Sequence, residues 1–170
     1  MWNKRSVVIL GVTVSLLLVA GVAGAALTKT WVEGYITEVS VIDPGEEWMD
    51  DEGVMHGRDQ QTEETLEGDL NGTLYVWGSY ELDLNPYSAS FGDGRMWGKL
   101  MFVGKHGNQK GIYVGVWGGP IESFYLDVDW HMLGLRGFSG TMLKVDNYGS
   151  LTPPGSPFIP QVYEGYIYSK

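Results

Sequence analysis

Beyond its first 26 residues, the chain alternates apolar and polar positions with a period of two and shows almost no helical period. Residues 123–132 are the clearest case. One face of this segment would be wholly apolar, formed by Phe124, Leu126, Val128, Trp130 and Met132. The alternation predicts a strand that buries one face and exposes the other, and it places Trp130 in the core.

Similar short segments recur between turn signals rich in glycine, proline and asparagine. The predicted strands are residues 31–41, 72–77, 80–84, 98–103, 111–117, 123–132, 139–145 and 163–168. Residues 118–120 and 147–149 are among the predicted turns. No linker is long and periodic enough to be a crossover helix. We therefore predict one all-β domain over residues 27–170, an antiparallel barrel of six to eight strands, with a sandwich as the alternative.

Residues 43–69 interrupt the alternation. They hold 11 acids against Arg58 and His56, and they show no regular apolar pattern. This composition predicts a long exposed acidic loop. Asp50, Asp51 and Glu52 could gather Ca²⁺ weakly, but they lack the ligand spacing of an EF-hand, so a solvated loop is the preferred interpretation.

Residues 1–26 have the features of a targeting segment. Lys4 and Arg5 give a positive start, an uncharged run extends to Ala26, and Ala23-Gly24-Ala25 provides the small residues of a cleavage site. We expect a signal peptide cleaved after Ala25 or Ala26. The alternative is an uncleaved helix that anchors the chain in the membrane. Both interpretations place the domain extracellularly or on the outer face of the cytoplasmic membrane.

Charge and cysteine content exclude several classes of function. The 170 residues contain 11 Lys+Arg and 21 Asp+Glu, which give a net charge of −10, and no Cys. Such an acidic chain is a poor match for nucleic acid or for anionic membranes, because phosphate neutralisation needs clustered cations. The absence of Cys excludes disulfides, thiolate metal sites and a cysteine nucleophile. No motif indicates a cofactor.

One strand face carries a candidate metal site. Asp127, Asp129 and His131 alternate on the polar side of residues 123–132, at about 6.5 to 7 Å per step. Oxygen ligands with one imidazole suit Mn²⁺, Ca²⁺ or Zn²⁺, although the spacing is wide for a single ion. The competing interpretation is the solvent face of an amphipathic strand.

Three tryptophans on separate predicted strands are candidate ligand-binding residues: Trp77, Trp97 and Trp117. Exposed indoles would stack on a sugar ring or on an apolar ligand, whereas buried ones would fill the barrel core. Asn71 begins an Asn-Gly-Thr glycosylation acceptor sequence. No Gly-x-Ser-x-Gly elbow indicates a serine nucleophile, so no catalytic residue is assigned.

Glycine-spaced strands give the chain a family resemblance. The segments that carry it are Gly94-Arg-Met-Trp-Gly98, Gly111-Ile-Tyr-Val-Gly115, Gly134-Leu-Arg-Gly137 and Tyr163-Glu-Gly165-Tyr. Together they resemble the allene-oxide-cyclase-like, or dirigent-like, barrel proteins, in which a Gly-Leu-Arg-Gly segment precedes a strand near the end of an eight-stranded barrel. The resemblance implies the fold alone, because such barrels serve several functions.

Three functions are compatible with these features. We favour an exported, non-catalytic domain that binds a small apolar or carbohydrate ligand or a surface partner. A structural surface subunit that donates residues 31–41 as a strand to a neighbour is the second. A small cyclase or isomerase acting inside the barrel is the third. The membrane would be contacted only through residues 1–26.

Overall fold

The computed structural model describes residues 27–151 and 158–170, and this part of the chain contains β-strands and no helix. The strands are β1 (Thr28–Asp43), β2 (Glu46–Met49), β3 (Val54–Gly68), β4 (Leu70–Asp83), β5 (Gly94–His106), β6 (Gln109–Glu122), β7 (Tyr125–Leu135), β8 (Thr141–Ser150) and β9 (Gln161–Ser169). The predicted N-terminal helix and the cleavage site at Ala25 or Ala26 lie outside the described residues. Within those residues, no helix could span a bilayer.

Eight of the strands close into an antiparallel barrel. The strand order is β1-β9-β8-β7-β6-β5-β4-β3, and β1 pairs with β3 to complete the ring. Closure removes the free edges that an open sheet would expose. The short β2 pairs with β3 beyond the point where β1 ends, after a corner at Pro44 and Gly45. The all-β antiparallel prediction is confirmed, and the barrel is observed rather than the sandwich.

The predicted acidic loop is wrong. Residues 43–69 form mainly β2 and β3, and β3 pairs with β4 on one side and with β1 and β2 on the other. The apolar alternation is missing because the inward positions Gln60, Thr62 and Glu64 are polar and line a cavity. The neighbouring strands satisfy the backbone hydrogen bonds of β3, so this polar sequence is held as a strand by its surroundings.

Several further boundaries differ from the prediction. The predicted strand over residues 123–132 begins only at Tyr125, because Ser123 and Phe124 form a turn with positive φ. Residues 80–84 do not form a separate strand, because β4 runs without a break to Asp83. Residues 118–120 belong to β6, and Pro120 falls where the β6–β7 ladder is interrupted between Gly118 and Ile121. Residues 147–149 belong to β8, where the buried Asn147 amide donates to the Val162 carbonyl at 3.0 Å. Glycine, proline and asparagine residues that predicted turns at 118–120 and 147–149 therefore lie within strands.

The two ends of the barrel differ in their connections. At one end, which we call the closed end, short turns join β3 to β4 and β5 to β6, and residues 136–140 join β7 to β8. At the opposite, open end, longer segments such as residues 84–93 and 151–160 join the strands. The alternation along the strands directs one set of side chains into the barrel. Trp130 belongs to this set and is 2% exposed, so its predicted place in the core is confirmed.

The closed half of the interior is densely packed. Its buried side chains include Val32, Leu66, Leu70, Phe102, Tyr113, Met132, Phe138, Leu143 and Ile167. Phe138 enters from the β7–β8 connection and stacks on Tyr113, with ring centroids 4.6 Å apart. The Tyr163 hydroxyl accepts from the Leu70 amide at 3.0 Å and donates to the Leu70 carbonyl at 2.9 Å. These contacts seal the closed end and fix the β3–β4 turn.

Candidate functional site

The open half of the interior contains a cavity of about 240 Å³. Most of its wall is apolar, formed by Val39, Leu74, Val76, Met96, Leu100, Trp117, Leu126, Trp130, Leu151 and Phe158. The polar side chains on the wall are those of Gln60, Thr62, Glu64, Tyr80, Asn147 and Gln161. An apolar cavity with a few polar groups is the usual form of a small-molecule site.

Two glycines shape one wall of this cavity by admitting the Trp117 indole. A Cβ at Gly78 would lie 2.7 Å from Cζ2 of Trp117, and one at Gly98 would lie 2.7 Å from Nε1. Trp117 is 8% exposed, and its buried Nε1 has no hydrogen-bond partner among the described residues. A buried donor without a partner costs about 1 to 3 kcal/mol. The indole therefore provides a flat wall at some cost in stability.

Glu64 is the one acidic side chain among the described residues that line the cavity. The Thr62 hydroxyl donates to its Oε1 at 3.1 Å. Burial raises the pKa of Glu64 from 4.5 to about 7, and the hydrogen bond from Thr62 opposes this rise. Glu64 is half-buried and lines the cavity, so a molecule bound there would meet a carboxyl group that gains or loses its proton near neutral pH.

A second carboxylate holds the polar side chains where β2 joins the wall. Oε1 of Glu47 accepts from Nε2 of Gln60 at 2.7 Å and from the Tyr80 hydroxyl at 2.8 Å. Burial, together with the negative charge of Glu47, raises the pKa of Tyr80 well above its usual range. Tyr80 consequently stays protonated at neutral pH and remains a donor to Glu47.

The three tryptophans predicted to bind a ligand occupy different sides of the barrel. Trp117 lies inside, on the cavity wall. Trp77 and Trp97 lie outside, 37% and 40% exposed, where they border a shallow groove together with Asp59 and Lys99. The structure thus separates one interior aromatic site from one exterior site, and ligand binding at either remains a prediction.

Asp127, Asp129 and His131 lie on the exposed outer face of β7, as the alternation predicts. Across the described residues, no three His, Asp or Glu side chains are grouped so that they could hold a metal ion. Asp129 instead faces Asp146 on β8. Burial and a hydrogen bond shared with Asp129 raise the pKa of Asp146, so this face is a site of like-charge repulsion. Asn71 is exposed near the start of β4, where a glycan could attach.

Sequence reasoning missed the polar residues of the cavity. Gln60, Thr62 and Glu64 lie in the segment predicted to be a loop, and Tyr80 and Asn147 lie at predicted strand or turn boundaries. One sequence signal was available. Gln60, Thr62 and Glu64 precede Leu66 at a spacing of two, which is the pattern of an inward strand face. An inward strand face that is polar does not show the apolar alternation from which strands are predicted.

Comparisons with known proteins give a fold and no function. No protein-family model matches the chain, and no curated protein matches it. A solved structure that is similar comes from Shewanella oneidensis MR-1 and is a protein of unknown function from the DUF3224 family. The TM-score is 0.59 at 15% identity, covering 84% of this chain and 96% of that one. The shared property is the barrel fold.

Proposed function

We propose that this protein is an exported, non-catalytic barrel that binds a small, largely apolar molecule in the cavity of its open half. The observation that carries the proposal is the cavity itself, at about 240 Å³. A cavity of about 150 Å³ is sufficient for benzene. The ligand should therefore be an aromatic or branched aliphatic molecule somewhat larger than benzene.

The polar groups on the wall favour a binding site over an accidental packing defect. Glu64 and the Nε1 donor of Trp117 are placed where burial is costly. The closed half of the same barrel contains no such arrangement among its described buried side chains. Destabilising polar groups concentrated at one cavity are typical of a functional site.

The alternatives differ in their support. An isomerase or cyclase inside the barrel would use Glu64 as its acid or base, because a pKa near 7 suits proton transfer. Strand donation has less support, because residues 31–36 of β1 pair with β9 and residues 38–43 pair mainly with β3. We propose that the resemblance to allene-oxide-cyclase-like barrels holds for the fold, with no catalytic residue transferred. Export would be tested by mass spectrometry, which should find a mature N-terminus at Ala26 or Leu27.

Ligand binding is tested by thermal shift with a panel of small aromatic and branched aliphatic molecules. A ligand at 100 times its Kd stabilises a folded protein by about 2.7 kcal/mol, so a bound compound should raise Tm by several degrees. The matched control is Val76→Phe, which fills the cavity from its wall. We expect binding to the wild type and none to this variant. A panel without a single binder, or binding that survives in Val76→Phe, would contradict the proposal.

The outer groove supports a second candidate, a carbohydrate site. Trp77 and Trp97 are exposed beside it, and Gln61 and Ser79 offer hydrogen-bonding groups. Indole faces flanked by polar groups suit sugar rings. A glycan array with the Trp97→Ala variant and the cavity-filled Val76→Phe variant distinguishes the two sites. Sugar binding lost only in Trp97→Ala would assign the groove, and no sugar binding would remove this candidate.

A further inference from the structure

The charge inside the cavity restricts the kind of ligand it can hold, and this inference rests on the proposed binding function. Glu64 projects from β3 between Val39 of β1 and Leu74 of β4, which are both apolar. None of the described residues on the wall is Lys, Arg or His. Residues 152–157 also contain no basic residue in their sequence. The carboxyl group of Glu64 therefore has no positive partner from the described wall.

The other titratable groups near the cavity reinforce this bias. Tyr80 on β4 faces the cavity and donates to Glu47 on β2, so its hydroxyl is already engaged. Glu47 adds a second negative charge beside the wall and accepts from Gln60 as well. A bound anion would be repelled by both carboxylates. A bound cation would be attracted by both, in a chain whose net charge is −10.

The aromatic walls provide a second means of holding a cation. Trp117 and Trp130 line the cavity, and Phe158 and Tyr80 extend the aromatic surface. Ring faces attract an ammonium group within about 6 Å, most strongly where water is excluded. The same rings also cover the apolar part of a ligand. A carboxylate with aromatic walls is thus complementary to a molecule that has a cationic nitrogen on a hydrophobic body.

We propose that the cavity selects an organic ammonium ion, a primary or secondary amine on a small aromatic or branched body, whose N–H groups donate to the Glu64 carboxylate. The cavity volume fits a body of about phenethyl size. Thr62 keeps the acceptor oriented through its hydrogen bond to Oε1. Binding would place one positive charge beside one negative charge and leave the apolar walls covered.

The pH dependence follows from the protonation of the empty site. Burial raises the pKa of Glu64 to about 7, so in acid the group is protonated and binding a cation must release that proton. Amine affinity should therefore fall about tenfold per pH unit below pH 7 and level off above it. A neutral molecule of the same shape would show no such profile.

The experiment compares three compounds of one shape: phenethylamine, phenethyl alcohol and phenylacetate. Calorimetric titrations at about pH 8, with the amine still charged, use the wild type, Glu64→Gln and Glu63→Gln. Glu63 is the adjacent acid on β3 and points to the outer face, so it is the matched control. We expect the amine to bind at least about tenfold more tightly than the alcohol in the wild type and in Glu63→Gln. Glu64→Gln should bind the alcohol and lose the amine preference.

Several results overturn the inference in distinguishable ways. If phenethyl alcohol binds the wild type as tightly as phenethylamine does, the amine proposal is wrong and cavity binding stands. The same conclusion holds if Glu64→Gln still binds the amine more tightly than the alcohol. If phenylacetate binds the wild type as tightly as phenethylamine does, or if none of the three compounds binds it, the amine proposal is wrong, and the thermal-shift panel decides cavity binding separately. The wild-type pH profile is a separate readout that needs no variant. A flat amine affinity between about pH 5 and pH 8 would contradict the role of Glu64.

Discussion

The two halves of the barrel interior are built by the same strands and have opposite properties. On β3, Leu66 is 1% exposed in the closed half, and one inward position further along, Glu64 lines the cavity of the open half. On β6, Tyr113 stacks under Phe138, whereas Trp117 forms a cavity wall with an unpaired donor. The closed half is optimised for packing. The open half is less densely packed around its cavity, and the Trp117 Nε1 donor there has no hydrogen-bond partner among the described residues.

This difference separates the half of the barrel that is packed for stability from the half that we propose binds a ligand. The inward side chains of each strand change from large and apolar at one end to mixed and incompletely packed at the other. Interiors at native density lose stability when atoms are removed, whereas a half that already contains a cavity has less to lose. Matched substitutions in the two halves should therefore have unequal effects.

The largest expected difference is between two phenylalanines. Phe138→Ala removes the 3%-exposed ring that seals the closed end and should lower the free energy of unfolding by about 3 to 5 kcal/mol. Phe158→Ala removes a partly buried ring at the cavity wall and should cost clearly less, because that wall already adjoins empty space. Urea unfolding measures both. Equal losses would mean that the two halves are packed alike.

The next largest effect is the pH dependence produced by Glu64. Its pKa rises from 4.5 in the unfolded chain to about 7 on folding, so the folded state binds the proton more tightly. The stability contributed by the protonated group is complete below about pH 4.5 and is lost as the pH rises to 7, a change of about 3 kcal/mol. Glu64→Gln should abolish this loss and exceed the wild type in stability above pH 7.

Denaturant unfolding at several pH values tests this expectation, with Glu63→Gln as the control that keeps the wild-type profile. A Glu64→Gln profile that parallels the wild type between about pH 4.5 and pH 7 would show that this carboxyl is solvated in the folded state.

Enlarging a buried valine away from the cavity wall and another on that wall should give two smaller effects of unequal size. Val145 is 1% exposed opposite Trp130 and lies outside the cavity wall, so Val145→Phe should destabilise by about 1 to 3 kcal/mol through overpacking. Val76→Phe extends into the cavity and should leave the free energy of unfolding nearly unchanged. Thermal and urea unfolding compare the two variants. A larger loss at Val76 would indicate that the cavity cannot accept the added ring.

The smallest effect is expected on the outer face. Replacing Asp127, Asp129 and His131 with Asn or Gln should change stability by at most about 0.5 kcal/mol, because the side chains are exposed. Removing Asp129 also relieves repulsion with Asp146, so any change should be a gain. Thermal melts measure the shift, and metal analysis of the purified protein accompanies them. A stoichiometric metal lost with the substitutions would restore the metal-site hypothesis.

The fold was more predictable than the site, for a physical reason. A strand with one apolar face, such as the one that carries Trp130, is recognised in the sequence by its alternation of apolar and polar residues. The strand β3 does not, because its inward residues Gln60, Thr62 and Glu64 meet a cavity instead of a packed core. The polar residues that line the cavity are thus the ones that interrupt the apolar alternation from which a strand is predicted. A barrel was predicted, but the pairing of β1 with β9 that helps to close it was not, because these strands lie at opposite ends of the domain sequence.

The central claim, that the open half binds a ligand and the closed half is solid core, is tested most directly by intermolecular nuclear Overhauser effects. With phenethyl alcohol bound to the wild type, its ring protons should give contacts to the methyl groups of Leu74, Leu100 and Leu126, which line the cavity. They should give none to Leu70 and Leu143, which are fully buried in the closed half. Contacts to Leu70 or Leu143, or to outer-face methyl groups alone, would contradict the account.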